Sequence, residues 1–270
     1  MNYLKGLFTA GKVPVVIFLV FILLWGCVRK KVKPVYKPLE TPEEIVPVAD
    51  SVVPPIVYGK AVSPKPVPLS VRKQKFVDLM LPAILVAMHN RAEVNNRVKE
   101  LMNKKELRPK EKLFIDSLMK KYRAGSINDL FTRTKPFPPS IVLAQAAIES
   151  GWGTSRFFTE ANNPFGMWSF DENEKRIKSG SHRNGKYIYL RKFDNLEQAI
   201  EAYLDMLSKR ELFKAFRQKN LKTDDPVELA KTLTAYSERG EAYVRDVIAV
   251  IKKNDFQKYD HYKLEEGKIH

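Results

Sequence analysis

Glu149 is the acidic residue whose neighbours in the sequence best suit acid chemistry. It ends a stretch, residues 141–149, that is apolar except for Gln145 and Glu149 itself. Pro138 and Pro139 can begin a helix there, because a first-turn proline lacks only an N–H that would have no partner. Gln145 and Glu149 are four residues apart and therefore share one face of that helix. A buried face carrying an amide and an acid must meet a partner or open on a cleft.

The end of this helix is predicted to raise the pKa of Glu149. Gly151 favours a left-handed helix stop, which leaves Glu149 at the partially negative end of the helix dipole. The apolar Trp152 follows, and both effects disfavour an ionised carboxylate. A carboxyl group that is protonated near neutral pH can protonate the leaving oxygen of a glycoside. The alternative is a salt-bridged residue at a helix end, without a catalytic role.

The residues around Glu149 resemble a known signature. The letters AQAAIESGWGTSRF, followed by EANNPFGMW, closely resemble the bacterial glucosaminidase domain of glycoside hydrolase family 73, and most closely its Bax-type proteins from Gram-negative bacteria. The resemblance covers roughly residues 73–255. It implies a lysozyme-like fold with Glu149 as the general acid. It also implies hydrolysis of the β-1,4 bond after N-acetylglucosamine in peptidoglycan.

Two other functions stay open beside this one. A lytic transglycosylase also needs one Glu, but there a hydroxyl of the sugar attacks and leaves an anhydro product. A catalytically impaired cell-wall-binding or scaffold module would keep the cleft without the activity.

The resemblance also assigns residues to the cleft. The cleft tyrosine of the family corresponds to Tyr236, whose phenol could hydrogen-bond an N-acetyl group or order the attacking water, and an ordinary buried tyrosine is the alternative. Trp152 would stack on a sugar or pack in the core, and Trp168 is the better sugar platform of the two, although a buried structural tryptophan is nearly as plausible. The substrate-binding candidates are Gln145, Trp152, Asn163, Phe165, Trp168 and Tyr243.

A second carboxylate is harder to assign. Many members of the family carry a second Glu in the small lobe, proposed to activate the water, and the candidates here are Asp171, Glu172 and Glu174. Each could equally be a solvated turn residue. The stereochemical outcome depends on that second group and its distance from Glu149. Assistance by the N-acetyl group of the substrate would remove the need for it.

The remaining pattern predicts a mostly helical α+β protein with a small β-hairpin lobe. Residues 171–193 are predicted to form the hairpin around the turn dipeptide Asn184-Gly185. Helices are expected on both sides of it, and in a lysozyme-like fold the cleft lies between helical lobe and hairpin. From Lys73 the pattern predicts a helix that kinks at Pro82 and a second one that begins at Asn90. Further helix starts are predicted at Pro109, Ser126, Thr154, Asn195, Asp225 and Tyr243.

The N-terminal residues are typical of export. Lys5 and Lys12 precede an apolar run over 13–25, which ends in Leu24-Trp25-Gly26-Cys27 and resembles the bacterial lipobox. Cys27 is the single cysteine of the chain and would receive lipid. The alternative is an uncleaved signal anchor. Either way we expect a protein tethered to a membrane on the periplasmic side of the cell envelope.

The predicted organisation has five parts. Ten of the 17 prolines fall at or before Pro68, so residues 28–72 are expected to form an extended polyproline-like spacer, or else a disordered leader. After Lys258 we expect a frayed basic tail. The parts are 1–27 (signal or anchor), 28–72 (linker), 73–135 (helical N-terminal part), 136–258 (glucosaminidase domain) and 259–270 (tail).

The formal net charge of +16 favours an anionic partner, such as peptidoglycan with its lactyl and peptide carboxylates. Export and the lack of a nucleic-acid-binding motif argue against nucleic acid. The four histidines are scattered, without metal-ligand spacing. We therefore expect a monomer without cofactor or metal.

Overall fold

The computed structural model describes residues 32–183 and 185–266. The export segment, Cys27 and Asn184 of the predicted turn lie outside these residues, so the structure leaves the predictions about them untested. Within the described ranges, no helix combines the length and the apolar character needed to span a membrane.

Helices make up most of the described chain, and three pairs of short strands accompany them. The predicted fold class, mostly helical α+β with a small hairpin, is confirmed. The helices are α1 (Leu69–Met102), α2 (Pro109–Tyr122), α3 (Ile127–Thr134), α4 (Pro139–Ser150), α5 (Arg156–Ala161), α6 (Leu196–Lys209), α7 (Lys214–Asn220), α8 (Pro226–Ala230) and α9 (Glu241–Lys253). The strands are β1 (Val35–Lys37), β2 (Val52–Val53), β3 (Ile56–Tyr58), β4 (Arg176–Arg183), β5 (Lys186–Arg191) and β6 (Lys263–Leu264).

The long helix α1 corrects the prediction of two helices. It runs unbroken through Pro82, and Asn90 lies in its interior rather than at a start. A proline inside a helix removes one hydrogen bond and costs about 3 kcal/mol. Residues 76–88 of α1 are nearly all buried in the main core, and that burial outweighs the cost. The far end of α1 packs with α2 and α3 in a second, smaller core around Val98 and Leu130.

Helix α4 lies at the centre of the molecule and carries Glu149 in its last turn. Residues 140–147 are buried, and α1, α9 and a short 3-10 helix at 256–261 pack against α4. Asp260, from that 3-10 helix, accepts hydrogen bonds from the backbone N–H of Ser140 at 2.8 Å and from its hydroxyl at 2.9 Å. The start of α4 is therefore held by a carboxylate from the C-terminal end of the chain.

The predicted hairpin is confirmed. Strands β4 and β5 are antiparallel, with Arg176 opposite Arg191 and Ile177 opposite Leu190, and the register shifts between Lys178 and His182. Trp168 forms an isolated bridge with Leu190 on the other edge of β5. The hairpin thus continues into the segment that follows Glu149.

The prediction of a free spacer over 28–72 is wrong for residues 32–68, which fold onto the helical domain. Strand β1 pairs in parallel with β3, and Val57 and Tyr58 are almost fully buried. The backbone N–H of Ala61 donates to the Asn162 side chain at 2.7 Å. Valine, isoleucine and tyrosine alternate with the prolines of this segment. These side chains fill the core, while a proline can still accept a hydrogen bond through its carbonyl oxygen.

The prediction of a frayed tail is wrong for residues 259–264. Tyr259 is buried, and β6 pairs in parallel with β2, so that Lys263 lies opposite Val52. Two segments that were predicted to be loose, one in the proline-rich region and one near residue 263, therefore pair with each other.

Three helix boundaries also differ from the predictions, and one of them is the start of α9, which lies at Glu241 instead of Tyr243. Helix α5 is capped by Ser155, whose hydroxyl accepts from the N–H of Phe158, instead of by Thr154. The helix that begins after Asp225 ends at Ala230, and a separate 3-10 turn spans Thr234–Tyr236. The predicted caps at Ser126 and Asn195 are confirmed.

Candidate active site

Glu149 lies where a buried helix reaches the surface. Its side chain is exposed, while the preceding residues 140–147 are buried. Gly151 adopts the left-handed conformation with φ 58°, as predicted, and the chain turns away from α4 at that residue. The N–H of Trp152 closes the helix end on the carbonyl oxygen of Ala147 at 2.8 Å. The carboxyl group is consequently accessible to a polymer that lies across the end of α4.

The environment of Glu149 raises its pKa, as predicted. Desolvation by the surrounding protein is the main cause, while a hydrogen bond from Tyr243 and the positive charge of Arg239 act in the opposite direction. Trp152 is not part of this environment, since its ring packs against Phe76 and Phe256. Near neutral pH, a larger fraction of Glu149 is therefore protonated than of an ordinary glutamate.

Three tyrosines surround the inner side of this acid. Tyr236 and Tyr243 stack with ring centroids 5.2 Å apart, and Tyr203 lies 6.3 Å from Tyr236. Burial raises the pKa of all three hydroxyl groups, and the negative charge of Glu149 raises it further. These hydroxyls therefore keep their protons at physiological pH, and Tyr236 is the one of the three that is partly exposed.

Gln145 lies inside this tyrosine cluster instead of on the cleft surface. Its side chain is fully buried. The Tyr203 hydroxyl donates to its Oε1, and its Nε2 donates to the Tyr243 hydroxyl oxygen at 2.9 Å. Gln145 and Tyr243 were predicted to bind substrate, but the structure buries both of them behind Glu149.

Asn163 and Phe165 connect the hairpin to the helical core. Asn163 is buried, and its amide nitrogen donates to the carbonyl oxygens of Met167 at 3.0 Å and Arg191 at 2.9 Å. Phe165 stacks on Tyr203 with 4.1 Å between centroids. Both residues were predicted to contact substrate. Their contacts instead fix the position of the hairpin relative to the tyrosine cluster.

The two predicted sugar platforms differ in their placement. Trp152 packs in the core, with the Lys73 ammonium 4.7 Å from its ring centroid, which corresponds to the alternative given for it. Trp168 is 42% exposed and lies 6.2 Å from the ring of Phe170, which is 86% exposed. An exposed aromatic pair on the hairpin side is thus available to a ligand.

The three candidates for a second carboxylate all take part in local contacts of the hairpin. Asp171 accepts from the N–H of Asn173 at 2.9 Å within the turn. Glu172 pairs with Arg176 at 3.3 Å, and Glu174 pairs with Arg191 at 2.8 Å. These contacts are those of turn and strand residues, which was the alternative stated for them.

The sequence analysis missed Tyr203 and Phe170. Tyr203 lies among the buried residues of α6, and a buried tyrosine needs a partner for its hydroxyl, which was the available indication in the sequence. Phe170 stands two residues after Trp168, a spacing that places both on the same side of an extended segment. Residues 32–183 and 185–266 contain no group of three or more His, Cys, Asp or Glu side chains arranged to hold a metal.

An accessible acid with a raised pKa, on a helical domain with a hairpin lobe, suits the proton donation that glycoside hydrolysis requires. The sequence model of one family, described as mannosyl-glycoprotein endo-beta-N-acetylglucosaminidase, matches residues 129–256. That part of the chain contains Glu149, the tyrosines and the hairpin, and it is similar to this glucosaminidase family. The resemblance predicted from the sequence is therefore confirmed.

Two relatives and one solved structure illustrate the similarity. Protein bax of Escherichia coli (strain K12) is 28% identical over 162 residues, which cover 54% of this chain and 56% of that protein. Exo-glucosaminidase LytG of Bacillus subtilis (strain 168) is 28% identical over 202 residues, covering 71% of this chain and 68% of that protein. The catalytic domain of the autolysin Auto from Listeria monocytogenes is 17% identical, with a TM-score of 0.39, and the match covers 61% of this chain and 95% of that domain.

Proposed function

We propose that this chain is a peptidoglycan hydrolase that cleaves the β-1,4 bond after N-acetylglucosamine, with Glu149 as the general acid. The observation that carries the proposal is the accessible Glu149 carboxyl, whose pKa is raised by its surroundings. The match of residues 129–256 to the glucosaminidase family supports the same reaction class, as does the name of the relative LytG.

In the proposed reaction, protonated Glu149 donates its proton to the glycosidic oxygen as the bond to the anomeric carbon breaks. The leaving sugar departs as an alcohol, and Glu149 is left as a carboxylate. It can then accept a proton from the water that attacks the anomeric carbon, which restores the acid. Tyr236, protonated and only partly buried, donates a hydrogen bond to the N-acetyl group or to that water.

One enzyme carboxyl is sufficient for this scheme. Asp171, Glu172 and Glu174 are engaged in turn and ion-pair contacts of the hairpin. The carbonyl oxygen of the substrate's own N-acetyl group can attack the anomeric carbon in place of a second carboxylate. Water then opens the resulting ring, so that the overall reaction remains a hydrolysis.

The exposed pair of Trp168 and Phe170 is the proposed platform for the glycan. Aromatic rings present flat apolar faces to the C–H faces of sugars. The guanidinium of Arg176, which lies 4.2 Å from the ring centroid of Tyr189, and the ammonium of Lys178 put positive charge on the same hairpin. Positive charge suits the lactyl and peptide carboxylates of peptidoglycan.

The proposed location is the cell envelope, where peptidoglycan lies. Tethering of the chain to a membrane through lipid on Cys27 remains part of the proposal, as does a monomeric state. Globomycin, which blocks lipoprotein signal cleavage, tests the tether. Accumulation of an uncleaved precursor in treated cells is expected, and an unchanged product size would favour the signal anchor.

The test of the activity is digestion of purified peptidoglycan by the full-length chain, followed by reduction and mass analysis of the released sugars. We expect products with a reducible N-acetylglucosamine end, and a loss of at least about 100-fold in the Glu149→Gln variant. Glu160→Gln is the matched control, because Glu160 is an exposed acid paired with Arg156 at 3.1 Å. Its activity should stay within about twofold of the wild type.

Two other outcomes would replace the proposal. Anhydro-muramic ends in place of reducible ones would make the protein a lytic transglycosylase. Equal and negligible release by wild type and Glu149→Gln, with both proteins still pelleting with the cell wall, would make it a wall-binding module.

A further inference from the structure

A polar cavity of about 220 Å³ lies where the start of α1 meets the 3-10 helix at 256–261. Its lining includes Lys73, Gln74, Trp152, Asn254, Lys258 and Tyr259. Segments that are far apart in the sequence thus converge on one space, and that space is much larger than a single water molecule.

Lys73 brings a half-buried positive charge to this cavity. Its ammonium lies 4.7 Å from the ring centroid of Trp152 and donates to Oδ1 of Asn254 at 3.1 Å. The end of α9 orients that amide, because its nitrogen donates to the carbonyl oxygen of Val250 at 2.8 Å. An ammonium has three N–H donors, and the bond to Asn254 uses one of them.

The positive charge of Lys73 is not balanced by an ion pair with any carboxylate of the described residues. Its contacts are the neutral amide of Asn254 and the indole of Trp152. Asp78, on the same helix, is buried, and its Oδ1 accepts from Gln74 at 2.8 Å and from the N–H of Val48 at 3.1 Å. A partly desolvated ammonium without a counter-ion favours an anionic ligand.

Lys258 adds a second positive charge to the lining. Its ammonium lies 5.1 Å from the ring centroid of Tyr259 and 3.8 Å from the carboxylate of Asp255. Lys258 and Asp255 are both exposed, and such an ion pair in solvent contributes little. Two ammonium groups beside the aromatic rings of Trp152 and Tyr259 suit a carboxylate on a small, partly apolar group such as an amino-acid residue.

The cavity lies close to Glu149 along the chain. Trp152, which lines it, stands three residues after Glu149, so the two Cα atoms are at most about 11 Å apart. A peptide of about five residues spans about 17 Å when it is extended. A peptide attached to a sugar near Glu149 is therefore long enough to bring a carboxylate to Lys73.

We propose that this cavity is a carboxylate-binding subsite for the peptide stem of peptidoglycan, with Lys73 and Lys258 as its cationic groups. The choice of ligand rests on the function proposed above. Binding of the free peptide needs no cleavage of the glycan, so it can be measured apart from that function.

NMR titration of the full-length ¹⁵N-labelled chain with the free stem peptide tests the subsite. The indole N–H signal of Trp152, assigned by its absence in Trp152→Phe, reports on the cavity. We expect this signal to shift with saturation. The same peptide with its carboxylates converted to amides should bind at least about tenfold more weakly, because hydrogen bonds to ionised groups are the stronger ones.

Substitutions of the lysines test their assignment. We expect Lys73→Met to weaken binding of the stem peptide about tenfold, and Lys73→Arg, which keeps the charge, to stay within about threefold of wild type. Lys75→Met is the matched control and should stay within about twofold. It removes the same charge from α1, but Lys75 donates to the carbonyl oxygen of Ile45 at 3.2 Å and does not line the cavity. Lys258→Met, at an exposed position, should weaken binding about threefold and provides the test if Lys73→Met does not fold.

Three results would overturn the subsite. They are equal binding of the acidic and the amidated peptide, binding by Lys73→Met that equals that of Lys75→Met, and complete displacement of the peptide by an equal concentration of inorganic phosphate. The last result would make the cavity a general anion site.

Kinetics separate this subsite from the proposed activity. On intact peptidoglycan, we expect Lys73→Met to raise KM about tenfold with kcat within about twofold, and on glycan stripped of its peptides to match the wild type. Glu149→Gln should bind the free stem peptide as the wild type does. If the wild type binds the peptide through Lys73 but releases no sugar, the proposed activity fails and the subsite stands. If it releases sugar but binds no peptide, the subsite fails and the activity stands.

Discussion

At the scale of single residues, the site combines one exposed acid with donors that the core holds fixed. Glu149 is exposed at the end of α4, yet desolvation by the surrounding protein still raises the pKa of its carboxyl group. The surrounding tyrosines provide the low-dielectric wall, and their protonated hydroxyls provide the donors. Glu149 is thus the exposed group of the site, and the tyrosines form the surroundings that raise its pKa.

Tyr236 offers a test at this scale. It is partly buried, stacks on Tyr243 and lies close enough to Glu149 to sense its charge. We expect Tyr236→Phe to lower kcat on peptidoglycan about 100-fold with little change in KM, because its hydrogen bond strengthens in the transition state. Tyr189→Phe on the hairpin is the control and should stay within about threefold. A Tyr236→Phe enzyme with unchanged kcat would assign this hydroxyl to the core.

At the scale of elements, helix α4 carries the acid, and its start is held by a carboxylate far away in the sequence. Burial raises the pKa of Asp260 to about 6, while its hydrogen bonds from Ser140 act in the opposite direction. Because the folded state binds this proton more tightly than the unfolded state, the contribution of Asp260 to stability falls as the pH rises from about 4 to 6.

Asp260→Asn tests this effect, because an amide keeps an oxygen for the N–H of Ser140 but does not ionise. The free energy of unfolding of the variant, relative to wild type, should increase by about 1–2 kcal/mol between pH 4 and 7, allowing for partial exposure. Urea unfolding at a series of pH values measures it. Asp255→Asn, which changes an exposed acid next to the same 3-10 segment, is the control measured in parallel. A flat difference for Asp260→Asn would contradict the assigned shift.

The elements that could be predicted are those fixed by neighbours in the sequence. Gly151 stops α4, Ser126 and Asn195 cap their helices, and β4 and β5 pair, because each depends on a few adjacent residues. The continuity of α1 through Pro82 depends instead on burial against other elements. The contact of Ser140 with Asp260 spans 120 residues, a separation at which no local pattern indicates a partner.

The same distinction applies to the candidate site. Glu149 could be predicted because the helix, its stop and the signature lie together in the sequence. The hydrogen bonds that join Tyr203, Gln145 and Tyr243 could not, since α6, α4 and α9 meet only in the folded chain. The type of each side chain was visible in the sequence, but the direction in which each one donates was not.

At the scale of the whole molecule, the proline-rich segment 32–68 is part of the folded domain. Tyr58 is 2% exposed, and its hydroxyl accepts from the N–H of Val46 at 2.9 Å. Other contacts of this segment reach α6 and the end of α5, through Tyr36 to Glu197 and Ala61 to Asn162. The segment therefore joins parts of the domain that lie on either side of the hairpin in sequence.

Tyr58→Ala tests this integration. We expect it to lower the free energy of unfolding by about 3–5 kcal/mol, because a large buried aromatic side chain leaves a cavity. Val52→Ala is the control, since Val52 belongs to the same segment but is 55% exposed, and it should change stability by less than about 0.5 kcal/mol. If both variants have equal and negligible effects on thermal unfolding, the interpretation of this segment as an extended spacer would be correct after all.

The folding of this segment sets how far a lipid-anchored enzyme could work from its membrane. Strand β1 begins at Val35, eight residues after Cys27. A fully extended chain covers at most about 3.3–3.6 Å per residue, which limits the distance between Cys27 and the start of β1 to roughly 30 Å. If Cys27 carries the lipid, the domain could reach only glycan that lies close to its own membrane.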